Sequence, residues 1–392
     1  MMQISKDTAR KFILTKQLLL PPKTLQGDKG IAHVFNTLRA IQYDPLNICG
    51  RNPDLVLQAR INGTHPTSYY KWLYEERKGI ECYDKELCII PIEDFGKRKA
   101  YKFTPEGKRG QFITQHKKDI TSLLSRIKKS GPISSQDITD SRKIDDFWGS
   151  KRWGNAALET LWRAEKLAIS KRENGRKYYD LPEKLYKAEF LKTALTKTKL
   201  LETHIERRIK ATGLLPASGT GSGWLGVGTG KEIAPTINKL IKNKILKEVK
   251  IETVNRKFVI LKSDTQTLQK AGKQKITNKK MTFLAPLDNL LWDRKMINEI
   301  FNLDYKWEVY TPPKDRKFGY YVLPILYGDK FIGRIEPILK NDILEIKNLW
   351  TEPSFKWSNQ STKALNQAIK EFQIYLKAKG NLDHKKTQHI ST

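Results

Sequence analysis

Apolar side chains recur at helical spacing through the first forty residues, which predicts one helix from Ser5 to about Leu19 and another from Lys29 to about Ala40. Leu18-Leu19-Leu20 is stopped at once by Pro21-Pro22. The pattern then changes. In IQYDPLNI, residues 41–48, the apolar positions 41, 43, 46 and 48 favour extended chain, and a Leu- and Val-rich stretch follows at 54–61. Helical spacing returns from Asp119 to Lys129 and is broken by Gly131-Pro132, after which Ser134-Ser135 can cap a short second helix. A third helix fits Asn155 to Lys166. In KLAISKRENGRKYYDL, 166–181, alternating apolar positions flank Asn174-Gly175, a hairpin signal. Helices followed by a two-stranded hairpin is the order of a winged helix.

The order comes back further on. A helix is expected over Thr203–Thr212 and another over about Lys231–Lys242, before the hairpin-like ILKEVKIETVNRKFVIL at 245–261, with Asn255-Arg256 at its turn. The first hundred residues form a less regular third unit. Residues 281–350 differ: YKWEVYTP, FGYYVLPIL, KFIGRIEP and ILEIKNLW read as strands, and a last helix spans about Gln360–Lys377. The expected fold class is therefore α+β, with three tandem winged-helix units and a C-terminal antiparallel, β-barrel-like part. The segments are 1–115, 116–190, 191–280, 281–380 and a polar tail at 381–392.

Charge changes this picture from a fold to a function class. The 392 residues carry 73 Lys and Arg against 42 Asp and Glu, a formal charge of +31. So large an excess repels itself in the folded state and points to a polyanionic partner whose released counterions favour binding. No segment has the apolar length of a membrane span, and MMQISKDTARKF lacks the apolar region of a secretory signal. Cys49, Cys82 and Cys88 form no CxxC pair, which suggests reduced thiols in a cytoplasmic protein and no zinc site. The glycine-rich SGTGSGWLGVGTG, 218–230, does not complete a phosphate-binding GxxxxGK[ST] motif and reads as a flexible connection.

The candidate chemistry lies in the extended segment. Alternate side chains of a strand share a face, so Gln42 and Asp44 point one way and Tyr43 the other, and Pro45 favours extended backbone at Asp44. An amide beside a single carboxylate suits hydrolysis of a bond whose leaving group is already cationic, as in an N7-alkylated purine. Departure of that base needs little general-acid help. Asp44 can stabilise the positive sugar and accept a proton from water, and Gln42 can hold the water. Gln-x-Asp alone is a short pattern, and its bland reading is a surface or capping pair.

The wider sequence resembles the YcaQ/AlkZ family of interstrand-crosslink DNA glycosylases, most closely the branch whose catalytic motif is Gln-hydrophobic-Asp. The resemblance runs in order through IQYDPLNICGRNPDLVLQAR (41–60), KGIECYDKELCIIPIEDF (78–95), KSGPISSQDI (129–138) and YYDL (178–181). It resumes in LAPLDNLLWDRK (284–295), YTPPKDRKFGYYVLPIL (310–326) and IGRIEP (332–337). It implies that Gln42 and Asp44 are the catalytic pair, that winged-helix units form a concave face for double-stranded DNA carrying alkylated or crosslinked bases, and that no metal or other cofactor is needed. Relatives carry a histidine where this chain has Lys85, ahead of the Cys-x-x-Pro run at 88–91.

Around that pair, Arg51, Asn52, Lys85, Lys151, Arg152, Lys314, Arg316 and Lys317 are expected to contact DNA, and Tyr43, Asn47, Asp293 and Arg294 to support the site. Each basic residue has a bland alternative as a solvated surface charge, and Arg60 can be a structural ion-pair partner. The leading expectation is a monomeric, monofunctional DNA repair glycosylase. The competing one is a non-enzymatic winged-helix protein, either a transcription regulator or a damage-binding protein, although no zipper heptads or effector domain are evident.

Overall fold

A computed structural model of the protein describes residues 2–98, 104–146, 149–192 and 195–378, so the polar tail expected at 381–392 lies outside the described residues. The chain divides into two compact units, one formed by Met1–Tyr69 with Ile205–Thr392 and the other by Tyr70–His204.

The first unit opens with a short strand and the helix Lys6–Lys16, which begins where the Ser5 hydroxyl accepts the Thr8 amide proton at 3.1 Å. Phe12, Ile13 and Leu14 are fully buried in a core with Leu214, Val249, Phe258, Ile260, Leu290 and Ile300. Met2–Ile4 pairs in parallel with Leu246–Ile251, which pairs antiparallel with Lys257–Leu261, and Leu215–Pro216 takes the other edge. A second sheet runs in the order Met281–Phe283, Leu323–Tyr327, Lys330–Lys340 and Ile343–Thr351, antiparallel throughout. The helix Asn359–Leu376 packs on it, with Phe372 edge-on to Phe283 at 5.8 Å between ring centroids. The first and last strands of this sheet occupy opposite edges. It is an open meander, and the expected barrel-like closure is not found; four strands are too few to enclose a core.

Three further expectations change here. YKWEVYTP is not a strand: Tyr305 is buried and Lys306 exposed, but the alternation fails at Trp307 and Glu308, and residues 303–308 have no ladder partner. The hairpin turn between Ile251 and Lys257 takes five residues, with Thr253 rather than Asn255 in the left-handed region at φ 63°. The glycine-rich stretch is pinned rather than loose. Trp224 is buried and donates to the Pro216 carbonyl at 3.0 Å, and Arg208 donates to the carbonyls of Gly223 and Leu225 at 2.8 and 2.7 Å.

In the second unit the helix Lys117–Ser130 buries Ile120, Leu123 and Ile127, one stripe at helical spacing, and ends at Gly131 with φ 82°. Ser134 caps only a single turn, Ser135–Asp137. The helix Trp153–Arg163 leads to the hairpin Ala168–Glu173 and Arg176–Asp180, whose Asn174 and Gly175 both have positive φ, the geometry of a tight two-residue turn. A second hairpin joins Gly79–Tyr83 to Leu87–Pro91. It is held by the buried Glu81 carboxylate, which accepts two hydrogen bonds from Arg172 at 2.9 and 2.6 Å and one from the Tyr74 hydroxyl at 2.5 Å. All three cysteines are buried, and none is in a disulfide among the described residues. Among the described residues, no helix is long and apolar enough to cross a membrane.

Candidate active site

The strand Ile41–Gln42 is short, and residues 43–47 beyond it carry no regular secondary structure. Tyr43 is buried, as its apolar ring requires on the core side, while Asp44 is half-buried. Pro45 removes a donor from the backbone, and the next amide, that of Leu46, donates to Asp44 Oδ1 at 2.9 Å. Among the described residues the other carboxylate oxygen accepts no hydrogen bond. Burial pushes the Asp44 carboxyl above the usual range, partly opposed by the Leu46 hydrogen bond. A carboxylate held in this way is a better proton acceptor than a fully solvated one.

Gln42 is largely buried, and its side-chain oxygen has no protein partner among the described residues. Such an oxygen, like those of Gln17, Gln58 and Asn289, has capacity left for a ligand or water, and only that of Gln42 lies two residues from a half-buried carboxylate with an uncommitted oxygen. The main chain of the same residue is firmly held. The Asn52 side-chain nitrogen donates to the Gln42 carbonyl at 2.6 Å, and the Asn52 side-chain oxygen accepts the Leu287 amide proton at 3.1 Å.

Two neighbours of Leu287 extend this support. Asn289 donates to the Ala40 carbonyl at 2.8 Å, just ahead of the strand. Asp288 forms a bidentate pair with Arg60 at 2.7 and 2.9 Å, both side chains fully buried, and Arg60 also donates to the carbonyls of Gln17 and Val56. Beyond the candidate pair, the Asn47 side chain accepts the Gly50 amide proton at 3.1 Å, and the Leu339 amide donates to the Ile48 carbonyl at 2.9 Å. Asp54 accepts the amide protons of Arg51 and Thr67 at 3.1 and 2.7 Å, which fixes the start of the helix Asn52–Gln58.

Among the residues singled out in the sequence, Asn52 changes place. It is 1% exposed, with both ends of its amide engaged by protein, so it clamps Gln42 and is not a DNA contact. Arg51 sits half-exposed ahead of the same helix. Lys314 and Lys317 are exposed on the loop 308–319, while Arg316 is tied down, donating to the Thr311 carbonyl at 2.9 Å and lying over the Tyr320 ring. Asp293 is buried and caps the helix Arg294–Phe301 through the Met296 amide, and Arg294 lies over the Tyr305 ring. Lys85, in the hairpin turn, and Lys151 and Arg152, just before the helix Trp153–Arg163, belong to the second unit.

Sequence reasoning missed Asp288 and Asn289 as positioning groups, although LAPLDNLLWDRK contains both. It also missed Tyr310. That side chain is 87% exposed, and the Asp44 carboxylate is one of the charges that raise its phenol pKa, after burial, which is the larger cause.

The architecture is that of a known DNA glycosylase fold. It matches the Streptomyces sahachiroi DNA glycosylase AlkZ with a TM-score of 0.63, covering 95% of this chain and 97% of that one at 14% sequence identity. The family model for AlkZ-like DNA glycosylases matches residues 35–374, and the chain belongs to that family. Its activity class is accordingly a DNA glycosylase of DNA repair.

Proposed function

We propose that the protein is a monofunctional glycosylase that hydrolyses the N-glycosidic bond of N7-alkylated purines, including those that crosslink the two strands, and leaves an abasic site. The observation that carries this reading is the pairing, two residues apart, of a half-buried carboxylate with one oxygen uncommitted and a buried amide oxygen without a protein partner. Alkylation at N7 gives the purine a positive charge. As the bond from C1′ to N9 breaks, its electron pair neutralises the ring and leaves an oxocarbenium-like sugar. Asp44 stabilises that charge and takes the proton of the water that attacks C1′, and Gln42 holds the water. One carboxylate is enough because the leaving group needs no proton, unlike the two used for an uncharged leaving group.

The remaining assignments rest on the same reading. The helix and hairpin groupings act as winged-helix units on duplex DNA. Arg51, Lys85, Lys151, Arg152, Lys314 and Lys317 contact phosphate, and Arg316 orders the loop that carries the last two. Tyr43, Asn47, Asp293 and Arg294 support the site.

The test is base release from 7-methylguanine-containing and mustard-crosslinked duplexes. Free 7-alkylguanine and an alkali-labile abasic site are expected from the parent, with a large loss in Asp44→Asn and Gln42→Ala. Tight binding without release would leave the protein a damage-binding module. Trapping of a covalent DNA adduct with borohydride would replace the monofunctional reading with a lyase.

A further inference from the structure

We propose that Tyr310 is a specificity-determining residue, whose exposed ring receives the face of the alkylated base while Asp44 addresses its sugar. The proposal rests on the glycosylase reading and adds the group that recognises the base.

Among the described residues Tyr310 is the most exposed large apolar side chain, at 87%. A tyrosine so open to water gains little from burial, so folding alone does not account for its placement. Its position is nevertheless fixed. The ring meets Trp307 edge-on at 6.0 Å and 71°, and Trp307 meets Tyr321 at 6.3 Å and 80°. Tyr321 is 2% exposed, and its hydroxyl faces the Gly50 carbonyl at 3.4 Å, in the segment that carries Asp44. Three aromatic rings thus connect the tip of one loop to the candidate catalytic segment.

The loop has its own lock. The buried Glu308 carboxylate accepts the amide protons of Lys317, Phe318 and Gly319 at 2.9, 2.8 and 3.2 Å, and Arg316 closes the other side through the Thr311 carbonyl. The loop therefore holds Tyr310 out on a braced base, where burial and, after it, the Asp44 carboxylate raise its phenol pKa.

A flat, exposed ring joined through Trp307 and Tyr321 to the segment that carries Asp44 suits a flat, positively charged ligand. The face of a tyrosine ring is the negative pole of its quadrupole, so it attracts a cationic ring more strongly than a neutral one. An N7-alkylated purine is such a ring, and an unmodified base is not. Stacking on Tyr310 therefore favours the lesion, and the exposed Lys314 and Lys317 on the same loop are placed for the flanking phosphates.

The experiment combines single-turnover release of 7-methylguanine from a defined duplex with binding measured in the Asp44→Asn background, where the lesion survives. Tyr310→Phe keeps the ring and should release base within about twofold of the parent. Tyr310→Ala should slow release about tenfold or more, the usual scale for loss of one base–aromatic stack. In the Asp44→Asn background, Tyr310→Ala should erase the preference for the 7-methylguanine duplex while affinity for undamaged duplex stays within about twofold. Parent-like release and an undiminished lesion preference in Tyr310→Ala would overturn the proposal and leave the glycosylase reading intact. If the parent releases no base yet prefers the lesion through Tyr310, the hydrolase reading fails and the stacking role stands. If neither release nor preference is seen, both fall. Thermal melting of Tyr310→Ala, expected to match the parent, guards against a folding artefact.

Discussion

Asn52 holds the main chain of Gln42 by a 2.6 Å hydrogen bond to its carbonyl, and Leu287 anchors Asn52 in turn. The backbone beneath the candidate catalytic pair is thus set by a side chain ten positions on. Asn52→Ala leaves the buried carbonyl of Gln42 and the amide of Leu287 unpaired, at a cost of about 1–3 kcal/mol each. The expected result is a lower denaturation midpoint, together with slower base release at temperatures where the variant is still folded. Parent-like kinetics in the folded variant would show that the clamp does not position Gln42.

Asp44→Asn should uncouple activity from stability. Asparagine keeps an oxygen for the Leu46 amide but cannot take a proton from water, so base release should fall by about 10²-fold or more. Because burial raises the Asp44 pKa, ionisation opposes folding at neutral pH. The sign follows from linkage: the penalty is absent below the unfolded pKa, grows as pH rises towards the folded pKa, and is full above it. The variant should therefore melt at or above the parent temperature at pH 7, with the difference closing in acid. A clearly lower midpoint at pH 7 would mean that the charged form is stabilised in the fold.

The same displacement predicts the acid limb of the rate profile. Activity requires the carboxylate, so kcat/KM should fall as pH drops through the raised pKa, above the ordinary aspartate value of about 3.9. An acid limb at or below that value, measured where melting curves show a folded enzyme, would contradict the assignment of Asp44 as proton acceptor.

How much of this was legible differs by kind of signal. Asn174-Gly175, Ser5 and Gly131 act through local backbone geometry, and the chain folds at each as the sequence implies. YKWEVYTP was read as a strand from its pattern, but such a pattern names a face and not a neighbour. Without a paired strand, YKWEVYTP stays unladdered and turns at 308–311, where the Thr311 amide donates to the Glu308 carbonyl, and just ahead of it the Asp304 carbonyl accepts from the Arg334 side chain. Gln42 and Asp44 were singled out as a pair from the sequence, and the blocks around them carried the family. For Asn52 the sequence left ordering of the site and phosphate contact both open, because its burial depends on a segment 235 residues away. Tyr310 was passed over because a lone aromatic in a turn has no local signature. The chain also leaves the first unit at Tyr69 and rejoins it at Ile205, and a linear pattern of elements carries no sign of that return.

Arg60 and Asp288 are fully buried and mutually satisfied. Removing one partner strands the other charge, so Arg60→Met or Asp288→Leu alone should cost about 3–5 kcal/mol. The double replacement should recover most of that loss, as a double-mutant cycle of denaturant midpoints would reveal. Additive losses would show that the pair is not energetically coupled.

Salt titration separates phosphate contacts from structural arginines. Lys314→Ala and Lys317→Ala should each lower duplex affinity and reduce the slope of log affinity against log salt by about one. An unchanged slope in both variants would remove this loop from the DNA interface.

Leu287, Asp288 and Asn289 have a consequence in time as well as space. They grip the chain at Asn52, Arg60 and Ala40, yet they are synthesised long after Gln42 and Asp44 have left the ribosome. At about 5–20 residues per second, the 235 residues from Asn52 to Leu287 take on the order of ten to fifty seconds to make. During that interval the nascent chain carries Gln42 and Asp44 without the hydrogen bonds that frame them. The geometry around Gln42 and Asp44 is therefore completed only when most of the chain has been made.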